Sequence, residues 1–334
     1  PAGESATGRD VVIPLHVQRG SEPGPVVAVT ATVHGDEING MGVVRRLILD
    51  DRFDVVRGTL ILVPVVNVLG FERKSRYMPD RRDLNRSFPG TLGGSLTSRF
   101  ARAVFDGIVR KADYLIDLHA AAASRTNYPN VRADLDNERV YELASLFGAE
   151  LTVHGTGPEG SLRRAAVEAG VATIILEAGE TWKIEPAMVE VGVRGVRNVL
   201  AGLGMLNETP EQPAYRVISR ETSWVRSGHG GILRFHVAPG DDVDAGQPLA
   251  TATTLLGKEL ATIDAPNAGV VLGMTTLPAV VPGDPVCHIA TAEGGLEALR
   301  RARLRSRGGT LDDRLREDLA TNIVLHDVDD AEDV

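Results

Sequence analysis

The stretch PVVAVTATVHGDEING, Pro25 to Gly40, joins an apolar run to a polar cluster and then to a helical pattern. Its valine-rich half is typical of a strand that is buried on both faces. Two side chains that can bind zinc follow it, His34 and, three positions later, Glu37. Gly35 permits the tight turn that would aim both side chains at one point. The stretch therefore predicts a strand closed by His34, a helix opened by Glu37, and a metal site where the two meet.

Apolar runs of the same kind recur along the chain up to about residue 205. They are TLILVPVVN (59–67), DYLIDLHA (113–120) and TIILEAG (173–179), and segments with helical patterns, such as SLTSRFARAVFDGIVR (95–110), separate them. Alternating strands and helices of this type indicate an α/β layer structure. We therefore predict an α/β fold with a mixed, largely parallel sheet and helices on both faces.

A change of composition predicts a second, all-β unit. The segment MLNETPEQPAY (205–215) breaks the alternation with prolines and polar residues. After it, GGILRFHVAPGDDV (230–243) recurs loosely as AGVVLGMTTLPAVVPGDPV (268–286), and this two-part pattern resembles the biotinyl/lipoyl barrel-sandwich. We predict three parts: a catalytic domain over residues 1–212, a small β module over 213–290, and a charged helical or disordered tail over 291–334.

Composition excludes several classes of function. The net charge of −9 and the lack of a dense block of lysine and arginine argue against a nucleic-acid partner. The single cysteine, Cys287, excludes an intramolecular disulfide and a cysteine-based zinc site. The chain has no apolar run of membrane length and no signal-peptide pattern at PAGESATGRD (1–10), which predicts a cytoplasmic protein without a membrane partner. The sequence is compatible with both a monomer and a homo-oligomer.

Further ligand-type residues follow the other predicted strands. His119 ends DYLIDLH, and Glu177 ends TIILE. Because ligands gather outside the carboxyl ends of strands in an open α/β sheet, we expect both to share one edge with His34 and Glu37. Two histidines and one carboxylate with an open position form a catalytic zinc site, and Glu177 is then the free carboxylate that takes a proton from water. Taken singly, His119 also fits an ordinary strand-end histidine, and Glu177 a surface glutamate.

The segment DRRDLNRSFPG (80–90) contains candidate substrate-binding groups. Arg86 has a planar guanidinium that can bind a carboxylate through two N–H groups, and Asn85 stands beside it. Arg76, nearby, can polarise the carbonyl of the scissile amide. Asp83 can accept the second ring N–H of a ligand histidine. The alternative is a structural network of ion pairs within this loop.

The motifs H-x-x-E, R-x-x-P-D-x-x-D-L-N-R-x-F-P-G, D-L-H and E-A-G, in this order, resemble those of a known family. It is the succinylglutamate desuccinylase/aspartoacylase family of the zinc carboxypeptidase superfamily, and the resemblance extends over about residues 11–290. It implies one zinc ion per chain, with the ligands His34, Glu37 and His119. It also implies that Glu177 is the general base, that Asn85 and Arg86 bind a substrate carboxylate, that Arg76 assists at the carbonyl, and that Arg163 is a further substrate-side arginine. Arg164 is equally available for that last role.

Two features separate this chain from other proteins with similar motifs. Some members of the family use a tyrosine from the C-terminal domain near the substrate, whereas no tyrosine follows Tyr215 here. The interval from Arg76 to Asn85 is longer than in the aspartoacylases themselves, which favours another deacylase branch.

In the β module, Lys258 lacks the acidic tip motif typical of a carrier lysine, so we expect it to be an ordinary hairpin lysine.

The predicted function is that of a zinc-dependent amidohydrolase. It would use metal-activated water to remove an acyl group from a small N-acylated amino acid, or a related amine, that bears a carboxylate. Within the enzyme class, the alternative is a zinc carboxypeptidase that acts on peptides. From another class, the alternative is a non-catalytic metal-binding or carrier-like protein. Three ligands favour catalysis, because a structural zinc site is normally closed by four.

Overall fold

A twelve-stranded mixed sheet runs through the computed structural model, which describes residues 3–4, 7–50, 53–213, 215–291 and 295–305. Within these ranges the first nine strands are β1 (Gly3–Glu4), β2 (Asp10–Val11), β3 (His16–Arg19), β4 (Glu22–Ala31), β5 (Arg57–Val63), β6 (Tyr114–His119), β7 (Arg125–Ala133), β8 (Leu151–His154) and β9 (Ala172–Glu180). Strands β5, β4, β6 and β9 lie side by side in that order and are parallel. Their β-branched, apolar sequences fit burial on both faces.

Helices cover both faces of this sheet. Those in the described residues are α1 (Asn39–Leu49), α2 (Val68–Glu72), α3 (Leu96–Gly107), α4 (Glu138–Phe147), α5 (Leu162–Glu168), α6 (Pro186–Gly202) and α7 (Leu296–Arg305), with 3₁₀ turns at Leu84–Arg86 and Val109–Lys111. Val27 and Val29 of β4 belong to the core under α1, α4 and α6, whereas Ala28 belongs to the core under α3 and α5. Since successive strand residues point to opposite faces, the two cores lie on opposite sides of the sheet. The predicted fold class is confirmed.

The connection that contains His34 and Glu37 differs in detail from the prediction. Strand β4 ends at Ala31, because Thr32 has a positive φ of 58° and takes the chain out of the extended conformation. Helix α1 begins only at Asn39. His34 and Glu37 therefore lie in the turn between strand and helix, and their predicted positions as the last strand residue and the first helical residue are wrong.

The strands after residue 213 complete the sheet and add a second one. In the described part of the chain they are β10 (Val217–Ser219), β11 (Thr222–Arg226), β12 (Gly231–Phe235), β13 (Asp242–Val243), β14 (Pro248–Thr253), β15 (Glu259–Asp264), β16 (Gly269–Thr275), β17 (Ala279–Val280) and β18 (Pro285–Ala290). Strand β16 pairs with β7, and β18 and β11 continue the sheet beyond it. Strands β15, β14, β12 and β17 form a four-stranded sheet. Leu233, Leu249, Val271 and Val286 are members of the apolar core that the two sheets share, so the predicted all-β module is present as a sandwich.

The predicted boundary near residue 212 falls between α6 and β10. Strands on either side of it are hydrogen-bonded to one another, since β10 pairs with β8 and β16 pairs with β7. The C-terminal strands thus stand directly beside the predicted catalytic part. Of the predicted tail over 291–334, α7 is described, whereas residues 292–294 and 306–334 lie outside the described residues. Within those described residues, no helix is both long enough and apolar enough to cross a membrane.

Lys258 is exposed in the hairpin between β14 and β15, where its backbone N–H donates to Thr254 Oγ1 at 3.1 Å. We expect no lipoyl or biotinyl group on it, because its neighbours are Gly257 and Glu259 rather than the acidic tip motif of carriers. Intact-mass measurement after co-expression with lipoate and biotin ligases tests this, with a known carrier domain as the positive control. An adduct mapped to Lys258 would make the module a carrier.

Candidate active site

His34, Glu37 and His119 meet at the edge of the sheet formed by the ends of β4 and β6. All three side chains are buried, and one ligand atom from each lies within 4.8 Å of the others. Glu37 Oε1 is 2.7 Å from His34 Nδ1, and Glu37 Oε2 is 2.8 Å from His119 Nδ1. The two imidazole rings meet edge to face, with centroids 5.0 Å apart. The structure thus brings together the three residues predicted as metal ligands.

The ring nitrogens of the two histidines have different surroundings. The Nδ1 atoms of both rings face the Glu37 carboxylate. The Nε2 atom of His34 lies 3.3 Å from Asp83 Oδ1, and that of His119 lies 2.7 Å from Asp117 Oδ2. A carboxylate on the outer nitrogen orients the ring and is typical of zinc-binding histidines. The donor set, in which both Nδ1 atoms and the Glu37 carboxylate face one another, therefore fits a zinc ion.

Asp117 was not predicted as a site residue. It is fully buried on β6, two positions before His119, and its Oδ1 accepts a hydrogen bond from Thr30 Oγ1 at 2.7 Å. Residues i and i+2 of a strand share a face, so the spacing in D-L-H is the signal that could have identified it.

The electrostatics of the cluster favour positive charge at its centre. Burial would raise the pKa of Glu37, but the two imidazoles hold it well below its ordinary value. Burial would lower the pKa of His119, but Asp117 and Glu37 raise it well above its ordinary value. In His34, too, the effect of burial is outweighed by Glu37 and Asp83, so its pKa is raised. A potential that favours an imidazolium also favours a divalent cation, which binds the neutral histidines in its place.

Gly35 is required by the close approach of another segment. A Cβ atom at this position would lie 2.3 Å from the carbonyl oxygen of Ser75 and 2.4 Å from the carbonyl carbon of Gly70. The Gly35 N–H also donates to Arg76 O at 3.3 Å. The segment 70–76 is therefore packed against the turn that carries His34, and this packing brings Arg76 to the cluster.

Arg76 is held against the metal-ligand cluster by ion pairs. Its Nη1 donates to Glu37 Oε1 at 2.6 Å, and its Nη2 lies 3.6 Å from Asp83 Oδ2 and 2.8 Å from His34 Nε2. Burial would raise the pKa of Asp83, but the hydrogen bond and charge of His34, with the charge of Arg76, lower it to about 2. Arg76 also lines the cavity in front of the cluster. This position is compatible with the predicted contact to a scissile carbonyl.

Glu177 lies beside the metal-ligand cluster but outside it. Strand register pairs it with His119 on the neighbouring strand. Asn127 Nδ2 donates to Glu177 Oε2 at 3.2 Å, and Arg132 Nε lies 3.8 Å from Glu177 Oε1. These contacts orient the carboxylate at the cavity wall, where it is available to act as a base.

The loop that carries Asn85 and Arg86 is tied to helix α5. Asp83 Oδ1 accepts from the Asn85 N–H at 2.8 Å, which caps the 3₁₀ turn. Asn85 Oδ1 accepts from the Leu162 N–H at 2.8 Å, so the NH₂ group is what Asn85 can offer to a ligand. Arg86 Nη1 donates to Asn85 O at 2.7 Å. Asn85 and Arg86 both line the cavity.

The structure distinguishes Arg163 from Arg164. Arg163 lines the cavity and is only 6% exposed, and its buried Nε and Nη1 have no hydrogen-bond partner among the residues that the structure describes. Arg164 Nε instead donates to Glu168 Oε1 at 2.9 Å on the exposed side of α5. Burial and the nearby charge of Arg132 lower the pKa of Arg163 to about 10. Arg163 is therefore still charged at neutral pH, and its unpartnered N–H groups suit an anion.

All these cavity-lining residues enclose one space of about 330 Å³. Several lining residues were not predicted from the sequence, among them the polar and aromatic side chains of Arg125, Asn127, Arg132, Trp224 and His288. Arg125, Asn127 and Arg132 reach the cavity because β7 pairs with β9, and Trp224 and His288 reach it because β16, β18 and β11 continue the sheet beyond β7. These pairings join distant segments, so local sequence patterns give no signal for them. Ligand pockets usually measure about 300–1,000 Å³, so this cavity suits a small molecule.

The central part of the chain matches a known catalytic domain. Residues 23–203, more than half of the 334 residues, match the family model described as the succinylglutamate desuccinylase/aspartoacylase catalytic domain. The chain belongs to the succinylglutamate desuccinylase/aspartoacylase family. An N-alpha-acetyl-L-2,4-diaminobutyric acid deacetylase from Halomonas elongata is 30% identical over 301 residues, which cover 86% of this chain and 87% of that protein.

Solved structures of bacterial proteins share this fold. The product-bound ectoine utilisation protein EutE (DoeB) from Ruegeria pomeroyi is 25% identical with a TM-score of 0.77, and the match covers 86% of this chain and 92% of that chain. A succinylglutamate desuccinylase/aspartoacylase from Rhodobacter sphaeroides is 26% identical with a TM-score of 0.74, covering 85% and 90%. The family is one of deacylases, which supports amide-bond hydrolysis as the reaction class of this chain.

Proposed function

We propose that this chain is a zinc-dependent deacylase that hydrolyses the amide bond of a small N-acyl amino acid with a free carboxylate. One observation supports it most: a buried cluster of His34, Glu37 and His119 lies beside the carboxylate of Glu177 in an arginine-lined cavity. Three protein ligands leave a coordination position open, as in catalytic zinc sites.

The residues around the cluster can divide the steps of hydrolysis among them. Zinc in such a ligand set supplies Lewis-acid polarisation of a carbonyl and acidifies water. Glu177 takes the proton from the attacking water and then returns it to the leaving nitrogen, as a general base that becomes a general acid. Arg76 stabilises the negative charge that develops on the carbonyl oxygen.

Positive side chains on the cavity wall suit the carboxylate of the substrate. Arg86 and Arg163 have no carboxylate within ion-pair distance among the described residues, although both face the cavity. Asn85 adds an NH₂ donor. Charge-assisted hydrogen bonds from guanidinium groups are about twice as strong as neutral ones, so these three residues would hold the carboxylate firmly.

A hydrolysis screen tests this proposal. N-acetyl, N-succinyl and N-formyl amino acids, including the N-acetylated diamino acid named for the Halomonas relative, are compared with dipeptides, with and without added zinc. We expect zinc-dependent release of the free amino acid from one N-acyl series and little cleavage of the peptides. Preferred cleavage of peptides would make the chain a carboxypeptidase, and no cleavage of either class would contradict the proposal.

Arg86→Lys should lower kcat/KM for a carboxylate substrate by about 10- to 100-fold, because the charge is kept but the two-pronged contact is lost. The loss should be much smaller for the corresponding amide, in which the carboxylate is neutralised. Steady-state kinetics on the acid and amide pair measure both values. Arg164→Lys is the matched control, since Arg164 pairs with Glu168 outside the cavity. Equal losses on acid and amide would remove Arg86 from carboxylate binding.

A further inference from the structure

Three side chains that the proposed reaction does not use form a stack on the cavity wall. The rings of Trp224 on β11 and His288 on β18 are nearly parallel, with centroids 4.4 Å apart and planes 7° from each other. The guanidinium carbon of Arg125, at the start of β7, lies 4.6 Å from the centroid of Trp224. All three residues line the cavity.

The register of the C-terminal strands explains how this stack reaches the site. His288 pairs with Trp224 on one side and with Gly273 on the other, and Gly273 pairs with Asn127. Residues paired in this way lie on the same face of a sheet. A Cβ atom at Gly273 would lie 2.4 Å from Asn127 Oδ1, so glycine is needed there for Asn127 to reach Glu177. These paired residues therefore form a continuous line across the strands, from Asn127, which contacts the proposed general base Glu177, to the stacked rings of His288 and Trp224.

Arg125 is positioned but not neutralised. In the part of the chain that the structure describes, it has no carboxylate within ion-pair distance, and its guanidinium lies over the ring of Trp224. The cation–π contact positions the guanidinium beside the indole ring, and the N–H groups stay available for a planar acceptor. A carboxylate is the acceptor that matches this geometry.

Positive charge exceeds negative charge along the cavity wall. Its acidic residues are Glu37 and Glu177, whereas its arginines are Arg76, Arg86, Arg125, Arg132 and Arg163. His288 adds no charge at neutral pH, because burial and the charges of Arg132 and Arg125 lower its pKa to about 4. A cationic ligand group would be repelled at this wall, whereas an anionic one would be attracted.

The positions of the strands separate Arg125 from the carboxylate-binding group of the proposed function. Asn85 and Arg86 are on the loop that contacts α5, whereas Arg125 is on β7, on the far side of β9 from β6. Strand β7 is antiparallel to β9, so its first residue lies near the edge where β9 ends. A substrate with its amide beside Glu177 can therefore extend toward Arg125.

We propose that Arg125, held on Trp224, which itself stacks on His288, forms a second anion subsite that selects substrates with a negatively charged group remote from the scissile amide. This inference rests on the proposed function, and it assigns the choice of substrate partly to the C-terminal strands. Substrates with a neutral or cationic group at that end are disfavoured.

Substrates whose side chains are similar in size but differ in charge test this selection. Wild-type protein should hydrolyse N-acetylglutamate about 10- to 100-fold more efficiently than N-acetylglutamine, and N-acetylornithine should be the poorest of the three. Arg125→Gln should bring the acid and amide within about threefold of each other, mainly through KM, and Trp224→Leu should do so in part. Arg110→Gln, which removes another arginine stacked on an aromatic ring, should leave the ratio unchanged. An unchanged ratio in folded Arg125→Gln, or a wild-type preference for the amide or the cation, would overturn the subsite.

A binding measurement keeps this test independent of turnover. The chain has two tryptophans, so Trp182→Phe leaves Trp224 as the sole tryptophan reporter. Glutarate should then change the fluorescence of Trp224 in a saturable manner, and Arg125→Gln in the same background should abolish the change. If no N-acyl amino acid is hydrolysed but glutarate binds in this way, the proposed function fails and the subsite stands. If glutarate does not change the fluorescence of Trp224, the subsite is refuted, even if the protein is an active deacylase.

Discussion

Glu177→Gln should lower kcat by about 10²–10⁴-fold while the protein stays folded and keeps its metal. Glutamine preserves the size of the side chain and its hydrogen bond with Asn127 but cannot take a proton from water. Because Glu177 lies outside the cluster of His34, Glu37 and His119, its replacement leaves the ligand set complete. KM should change little, since the proposed carboxylate contacts are made elsewhere. Steady-state kinetics and metal analysis on the same preparation measure both quantities.

The matched control for this variant is Glu168→Gln. Glu168 is an exposed residue of α5 that pairs with Arg164, so the same chemical change is made away from the cavity. It should leave kcat and KM at the wild-type values. A Glu177→Gln protein with near-normal kcat would end the assignment of Glu177 as the base. Loss of metal from it would instead indicate that Glu177 supports the ligand cluster.

The convergence of the predicted site residues follows from simple rules of sheet structure. Parallel strands end at the same edge, so residues near the ends of β4, β6 and β9 must approach one another once these strands are neighbours. The register that pairs His119 with Glu177 is the direct expression of this rule. Glu177 lies inside β9, which continues to Glu180, so its predicted position as the last strand residue is wrong. The turn of His34 and Glu37 was harder to place, because the positive φ of Thr32 ends the strand early without a glycine to signal it.

The part of the cavity wall that the C-terminal strands contribute could not be predicted in the same way. Trp224 and His288 reach the site through the antiparallel addition of β16 and β18 to β7, a pairing between segments more than 100 residues apart. No local period marks such a contact, and Trp224 by itself has the pattern of any half-buried strand residue. Asp117 is different, because its two-residue spacing from His119 was visible in the sequence and lacked only an interpretation.

His119→Ala should remove most of the bound metal and lower kcat by about 10³-fold or more, since zinc contributes several kcal/mol of transition-state stabilisation. Wild-type protein is expected to contain about one zinc ion per chain, whereas the variant should contain a small fraction of that. Elemental analysis of protein dialysed against a weak chelator measures the content. Thermal unfolding adds a second readout: free zinc at about 100 times its Kd should stabilise the wild type by about 2.7 kcal/mol and should stabilise the variant much less.

A second group of potential ligands makes this test specific. Asp134, Asp136 and His154 also bring ligand atoms within 4.8 Å of one another. However, the Asp136 side chain is 69% exposed and accepts a hydrogen bond from Arg220 at 2.9 Å, so an ion there would compete with water and with an existing partner. His154→Ala should therefore keep the metal and the activity that His119→Ala loses. The reverse pattern, with zinc kept in His119→Ala and lost in His154→Ala, would move the metal to the surface group. The buried cluster would then be a network of hydrogen bonds among His34, Glu37 and His119.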